Sequence, residues 1–264
     1  MSDEPETLLE TALAAARAGA RALSRRPTGA AMKGGDPINL VTDRDLASQR
    51  AVFGLIRRAF PEHRLIGEED PDALAAPTTG PTWTVDPLDG TSNFAHGHVP
   101  FGVSVGHARD GRPLVGAIAL PASRALAWAV RGRGAFLRRG GRVKRLRVSE
   151  KQRLAEALVL TGYGYARAGY PAWLRRFERA VSAAQAVRMT GAAVADLVAL
   201  ASGVADVVWE DEYQPWDYAA GALLVEEAGG RVSTIEGWPL PGMPTSFLGT
   251  NGRLHEEMVR FLTG

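Results

Sequence analysis

Five carboxylates stand where short apolar runs end: Glu68 and Glu69 after LIG, Asp86 and Asp89 in TVDPLDGTSN, and Asp217 in PWDYAAG. Pro87 fixes its own φ and holds Asp86 extended, while Gly90 opens a backbone turn closed to other residues. The spacing predicts that Asp86 ends a strand and Asp89 comes from the turn, so that their side chains converge. If Gly90, Thr91 and Ser92 open a short helix, their free N–H groups form an anion site beside the acids. Converging carboxylates repel, and at neutral pH one or more takes up a proton unless cations intervene. Oxygen-only ligands, without cysteine and without a paired-histidine motif, favour a hard cation such as Mg²⁺ over Zn²⁺. The neighbouring anion site points to a phosphate as what the metal holds.

Each acid needs an element to carry it. PETLLETALAAARAGARAL repeats apolar residues at helical spacing with Pro5 at its entrance, predicting an amphipathic helix. Asn39 to Thr42 leads into DRDLASQRAVFGLIRRAF, whose Leu46, Val52, Leu55, Ile56 and Phe60 suit a second helix stopped by Pro61. LIGEED is expected to be a short strand running into acid. From Trp83 to about Arg147, the runs WTVD, FGVSVGHA, LVGAIAL, LAWAV and AFLRR are split by glycine or proline, which predicts a sheet. After Ser149 strands alternate with helices: LVLTG, a helix near Trp173 to Ala184, AVRM, GAAVADLVALASG, ADVVWE, a helix from Trp216 to Ala228, RVSTI, SFLGT and a last helix. That alternation argues for a layered α/β half. No repeat or low-complexity linker separates the halves, so two subdomains sharing an interface are expected: an α+β part over 1–147 and an α/β part over 148–264.

A chain of 264 residues can bury a sizeable core, and 45% hydrophobic with 23% charged residues excludes disordered and fibrous classes. Cysteine is absent, which excludes disulfides, thiolate metal sites and a cysteine nucleophile and fits a reducing cytoplasm. Neither a secretion leader nor an apolar run of membrane length is visible, so no membrane association is expected. A net charge of +2 is too even to announce nucleic-acid binding. One basic cluster remains, Arg138, Arg139, Arg142, Lys144, Arg145 and Arg147, which reads as a solvated hairpin face or as a surface for an anionic partner.

Several motifs compete with plainer readings. DPLDG alone is also a proline–glycine turn with an Asx cap, and the haloacid-dehalogenase signature DxDGT fits poorly because here the acids lie three apart with proline between them. Asp45 follows Thr42 by three residues, a capping-box spacing. His96, His98 and His107 read as packing or surface residues. RGRGAF lacks a following helix and is better read as a hairpin glycine pair than as a dinucleotide fingerprint.

Together, Asp45, Glu68-Glu69, Asp86-Pro87-Leu88-Asp89-Gly90-Thr91, Trp216-Asp217 and, after YAAGALLVEEA, Gly229-Gly230 resemble the inositol monophosphatase family. These are metal-dependent, lithium-sensitive phosphatases that share a fold with fructose-1,6-bisphosphatase. The resemblance runs from VTDRD through NFAHGHVPFGVSVG, AVRGRGAF and RMTGAAVADL to PWDYAAG. It implies a layered αβαβα sandwich with the two parts meeting at a metal cleft. It further implies that Glu68, Asp86 and the Leu88 carbonyl hold one Mg²⁺, that Asp86, Asp89 and Asp217 hold a second, and that a weaker third rests on Glu68 with help from Asp45. Glu68 and Thr91 would orient the attacking water and the N–H groups of Gly90 and Thr91 would grip the phosphate. Glu210 and the stretch Gly191, Ala192 and Ala193 would face the alcohol. Lys33 resembles the lysine near the third ion, and an exposed loop lysine is the alternative.

GTSNF resembles the GTTNF of inositol monophosphatases more than the DGTK of adenosine bisphosphate and histidinol phosphate phosphatases. Ala192 stands where a hydroxyl residue is frequent, and Gln214-Pro215 replaces the His-Cys of animal members, so the alcohol pocket departs from the pattern while the metal cluster does not. The resemblance therefore implies a small phosphorylated metabolite, myo-inositol monophosphates first, with fructose-1,6-bisphosphate, NADP or histidinol phosphate as alternatives. It also implies a homodimer. A bacterial branch of the family works in transcription, which leaves an RNA- or polymerase-associated role as the second reading of the arginine-rich hairpin.

Overall fold

The structure, a computed structural model, describes residues 3–36, 38–70, 79–164 and 167–264. Pro5 sits in the first turn of α1 (Pro5–Ala22), where its missing N–H costs nothing, and the helix buries Leu8, Ala12, Ala15 and Ala16 along one stripe. A short hairpin of β1 (Ala30–Met32) and β2 (Leu40–Thr42), which the sequence pattern does not announce, leads into α2 (Asp43–Ala59). α2 ends where Phe60 turns out of helical geometry ahead of Pro61.

Seven strands then form a sheet in chain order: β3 (Arg64–Gly67), β4 (Pro81–Asp89), β5 (Gly102–Arg109), β6 (Arg112–Leu120), β7 (Ala125–Val130), β8 (Gly134–Arg139) and β9 (Arg142–Arg145). Only β3 and β4 run parallel; the rest are antiparallel, joined by short turns from β5 onward, while the β4–β5 connection carries a helix. The short helix α3 (Thr91–Ala95) follows β4, with Gly90 as its cap at φ 78°. The strand β4 runs on through Asp89, whereas the sequence predicts a turn beginning after Asp86. Its ladder to β5 breaks between Asp86 and Asp89, a bulge at the proline that has no N–H to donate.

The second sheet has the order β11-β10-β12-β14-β13, from β10 (Leu158–Thr161), β11 (Ala186–Arg188), β12 (Val207–Tyr213), β13 (Arg231–Ser233) and β14 (Thr245–Thr250). The helices α4 (Tyr170–Ala183), α5 (Ala193–Ala201), α6 (Pro215–Glu227) and α7 (His255–Thr263) complete the chain. Alternation along the strands sorts the side chains into layers. Leu126 and Val130 of β7 pack with α1 and α2, while Ala127 and Ala129 face α5 and α6. On β12, Val208 faces α5 and α6, while Val207 and Trp209 face α4 and α7. The result is a layered αβαβα sandwich.

Lying between two sheets, α6 is buried nearly all round, at Trp216, Tyr218, Ala220, Ala222, Leu223, Leu224 and Val225, and accordingly has no polar stripe. Its approach to the first sheet depends on small residues. A Cβ on Gly116 would lie 2.8 Å from the Ala220 carbonyl oxygen, and one on Gly106 would lie 3.2 Å from the Ala219 Cβ. This close seat sets the depth of the N-terminus of α6, and with it the position of Asp217.

Candidate active site

Gly67 ends β3 beneath α2, where a Cβ would strike Gln49 and Phe53, and Glu68 continues the ladder by donating its N–H to the Val85 carbonyl at 3.2 Å. This brings Glu68 beside the end of β4. Asp86 is 2% exposed and its Oδ1 accepts the Leu88 N–H at 2.9 Å, closing an Asx turn across Pro87. Ser48 fixes the same turn by donating to the Pro87 carbonyl at 2.6 Å. Asp217 lies in the first turn of α6, and its Oδ2 accepts the Gln214 N–H at 2.7 Å. A carboxylate there is favoured by the helix dipole by about 0.3–1 kcal/mol.

The acids meet. Burial pushes the Asp86 carboxyl well above the ordinary range, and the charges of Glu68, Asp89 and Asp217 push it further. Asp217 is raised by burial and then by Asp89 and Glu68, against the pull of the Gln214 N–H. Asp89 is held up to about 7 by burial despite N–H groups from Val194, Ala193 and Gly90. Glu68 is likewise raised by burial, against the pull of the Lys33 ammonium.

Lys33, read from sequence as a site or loop residue, places its Nζ 2.7 Å from Glu68 Oε1 and 2.5 Å from Glu69 Oε1. Burial works against its charge, but the two glutamates outweigh it and hold the ammonium above the ordinary lysine range. Glu69 itself is pushed up to about 7 by burial and by Glu68. Among the described residues no three acidic or histidine groups already form a closed ligand set. The reason is visible in the partners. Lys33 draws the two glutamates, the α5 N-terminus draws Asp89, and the Gln214 N–H draws Asp217.

Asp45, fully buried, caps α2 and also reaches Thr91. Its Oδ2 accepts the Thr42 N–H at 2.8 Å and the Thr42 hydroxyl at 2.5 Å, while its Oδ1 lies 3.1 Å from Thr91 Oγ1. The same Thr91 hydroxyl lies 2.9 Å from the Leu88 carbonyl. The capping box that the Thr42–Asp45 spacing suggests is formed.

Across the cleft, Gly90 packs against the 190–193 loop, where a Cβ on it would lie 3.1 Å from Ala192 Cβ and 3.2 Å from the Gly191 carbonyl. The α5 cap, Ala192, has no side chain to accept N–H groups, and Asp89 supplies the acceptor from across the cleft, at 3.2 Å from Ala193 N and 3.0 Å from Val194 N. Glu210, 5% exposed on β12, is raised well above its ordinary range by burial and by Asp196, Asp211 and Asp217. It takes the Gly162 N–H.

Three residues that organise this loop escape sequence reading. Asn93 donates from Nδ2 to the carbonyls of Pro100 and Thr190, both at 2.8 Å. Thr190 in turn donates to Asp196 Oδ1 at 2.6 Å. Burial raises Asp196 to about 8. In GAAVADL an aspartate at that place looks like an ordinary helix residue, and no spacing rule singles it out.

Layered sheets and helices bring buried acids from the ends of β3 and β4 and the start of α6 to one cleft. A model of the inositol monophosphatase family matches residues 4–262, and the chain belongs to that family. The "Inositol-1-monophosphatase" of Caulobacter vibrioides is 35% identical over 85% of this chain and 87% of its own length. "Nus factor SuhB" of Pseudomonas aeruginosa is 38% identical over 76% of this chain and 74% of its own. The inositol monophosphatase structure from Anabaena superposes with a TM-score of 0.83 at 35% identity, covering 98% of this chain and 96% of that one.

Proposed function

We propose that this chain hydrolyses small phosphate monoesters with magnesium, myo-inositol monophosphates first among them. The observation that carries the reading is the surroundings of Asp86: a buried carboxyl raised well above its ordinary range by burial and by the charges of Glu68, Asp89 and Asp217, a place that a divalent cation stabilises better than a proton does. The donors fit a hard ion: the carboxylates of Glu68, Asp86, Asp89 and Asp217 and the Leu88 carbonyl would hold two or three magnesium ions. When bound, magnesium would supply Lewis-acid activation of water and charge neutralisation at the ester.

The chain's own groups do the rest. Thr91 Oγ1, directed at Asp45 Oδ1 and the Leu88 carbonyl, keeps its lone pairs for a water hydrogen and orients that water with Glu68. Burial raises Asp45, and the two donors from Thr42 offset part of that rise. The backbone of Gly90 and Thr91 faces the phosphate, and the 191–193 loop with Glu210 limits the alcohol. Residues 1–147 and 148–264 are taken as the two parts that build the cleft, in a cytoplasmic homodimer.

Phosphate release from myo-inositol 1-phosphate, run against a panel of sugar phosphates, fructose 1,6-bisphosphate, NADP and histidinol phosphate, tests substrate choice. Activity should require Mg²⁺ and fall at least about a hundredfold in Asp89→Asn. Turnover within tenfold of the parent would overturn the metal assignment. The name of the Pseudomonas relative, together with the exposed β8–β9 hairpin, supports a second reading as a transcription-associated protein. Salt-resistant co-purification of RNA or polymerase, with no phosphate release, would favour it.

A further inference from the structure

Away from the acids, the C-terminal half of α1 and the β6–β7 hairpin enclose a groove of about 400 Å³. Four arginines are among its lining residues, Arg17 and Arg21 on α1, Arg124 in the hairpin and Arg138 on β8, whose guanidinium lies over the Trp128 ring at 5.7 Å, and Leu120 and Leu126 contribute to its apolar lining. Among the described residues no acidic side chain lines it. Eight other arginines pair with carboxylates: Arg44, Arg109, Arg131, Arg133, Arg153, Arg176, Arg231 and Arg253. Among the described residues none of the four groove arginines does so.

Four like charges around one apolar hollow repel one another, and Arg17 and Arg21, one turn apart on a helix, are destabilising by a few tenths of a kcal/mol as a pair. Arg124 also adopts left-handed backbone geometry at φ 51°, which a non-glycine residue holds at some cost in energy. An anion relieves the repulsion. Guanidinium forks match phosphate and carboxylate oxygens, and the apolar lining matches a flat hydrocarbon body. The volume is that of a small-molecule site, for which roughly 300–1,000 Å³ is usual, and is too small for a folded partner. The other basic residues of the β8–β9 hairpin, Arg139, Arg142, Lys144 and Arg145, lie outside the lining, so the groove shares only Arg138 with that basic face.

We infer that this groove binds a small organic anion that joins an aromatic or aliphatic body to a phosphate- or carboxylate-type group. The site is separate from the hydrolytic one. Gly102 pairs with Asp89 and Val103 with Ala119, so the groove lies two strands over from the cleft, and no residue is common to both.

The test uses naphthylmethylphosphonate, an aromatic dianion that the enzyme cannot hydrolyse as an ester, titrated calorimetrically into the full chain in EDTA so that no metal-held phosphonate contributes. Saturable binding is expected, at least about tenfold tighter than that of methylphosphonate, which lacks the ring. The double variant Arg21→Ala/Arg124→Ala should weaken it at least about tenfold, and both positions are exposed, so the fold is retained. Asp217→Asn should leave it unchanged. Absence of saturation, equal binding by the arginine variant, or loss in Asp217→Asn would each overturn the inference. So would displacement of the probe by a short RNA or an acidic peptide that binds these arginines more tightly.

Discussion

Two buried carboxylates, Asp86 and Asp206, are almost equally hidden at 2% and 1% exposure, yet their surroundings are opposite. Asp206 receives the Ser149 hydroxyl at 2.5 Å, the Leu158 N–H at 2.7 Å and the Lys151 ammonium at 3.1 Å. Its own backbone joins the Leu158 carbonyl and the Asn251 N–H, so one aspartate ties β10, the segment before it and the chain after β14 together. Asp86 receives one backbone N–H, from Leu88, and otherwise faces Glu68, Asp89 and Asp217. Burial costs both side chains their water, but only Asp206 is compensated by donors of the fold. A buried acid surrounded by donors holds a structure together; a buried acid surrounded by acids waits for a cation.

The sharpest way to break that contrast is to remove each charge in turn. Asp86→Asn keeps the acceptor for the Leu88 N–H and removes the repelling charge. It should reduce phosphatase activity at least about a hundredfold while leaving stability in EDTA equal to the parent's or higher. Added Mg²⁺ should raise the melting temperature of the parent and leave that of the variant nearly unmoved, because only a ligand that binds the native state stabilises it. A variant that loses stability as fast as activity would mean that Asp86 is a structural acid like Asp206.

The converse substitution, Asp206→Ala, strands the Ser149 hydroxyl, the Leu158 N–H and Lys151 together. It should cost about 2–4 kcal/mol in urea unfolding, with kcat of the remaining folded enzyme within a fewfold of the parent. A cost below about 0.5 kcal/mol would show that water replaces the lost oxygens without penalty.

The same contrast explains what was legible in the sequence. Apolar periodicity marked α1, α2 and the strands from Trp83 onward because their partners lie on one side or alternate between two. The acids were conspicuous at Glu68, Asp86, Asp89 and Asp217 because each follows an apolar run and proline or glycine adjoins three of them. Asp206 and Asp196 lacked such punctuation, and their partners, Ser149 and Thr190 among them, are set by tertiary packing. The trans cap that Asp89 places on α5 was likewise hidden, since it joins residues 104 and 105 apart. Nor could the chain alone show that Lys33 would reach Glu68 and Glu69, because that pairing depends on the β1–β2 hairpin, whose three-residue strands carry too little pattern to be read.

The subtlest test follows stability with pH in the absence of metal. Asp89 and Glu69 are raised to about 7, above their values in the unfolded chain, so the folded state is penalised when they ionise. That penalty is present above about pH 7 and relaxes as pH falls, because the folded state then binds protons that the unfolded state does not. His107 and His255 act in the other direction. Burial lowers both to about 4, so the stability they contribute is full above their ordinary value of 6.5 and is lost as pH falls toward 4. Between pH 8 and 6.5 the carboxylates therefore dominate, and in EDTA the unfolding free energy should rise by about 1 kcal/mol from each of Asp89 and Glu69, with a further share from Asp196, which burial raises to about 8. Saturating Mg²⁺ should flatten this rise, since the ion binds the ionised carboxylates and its affinity weakens as protons compete. Asp89→Asn should remove one group's share in EDTA. Stability that falls across this window in the metal-free parent would reverse the sign and place the acids among fold donors, as Asp206 is.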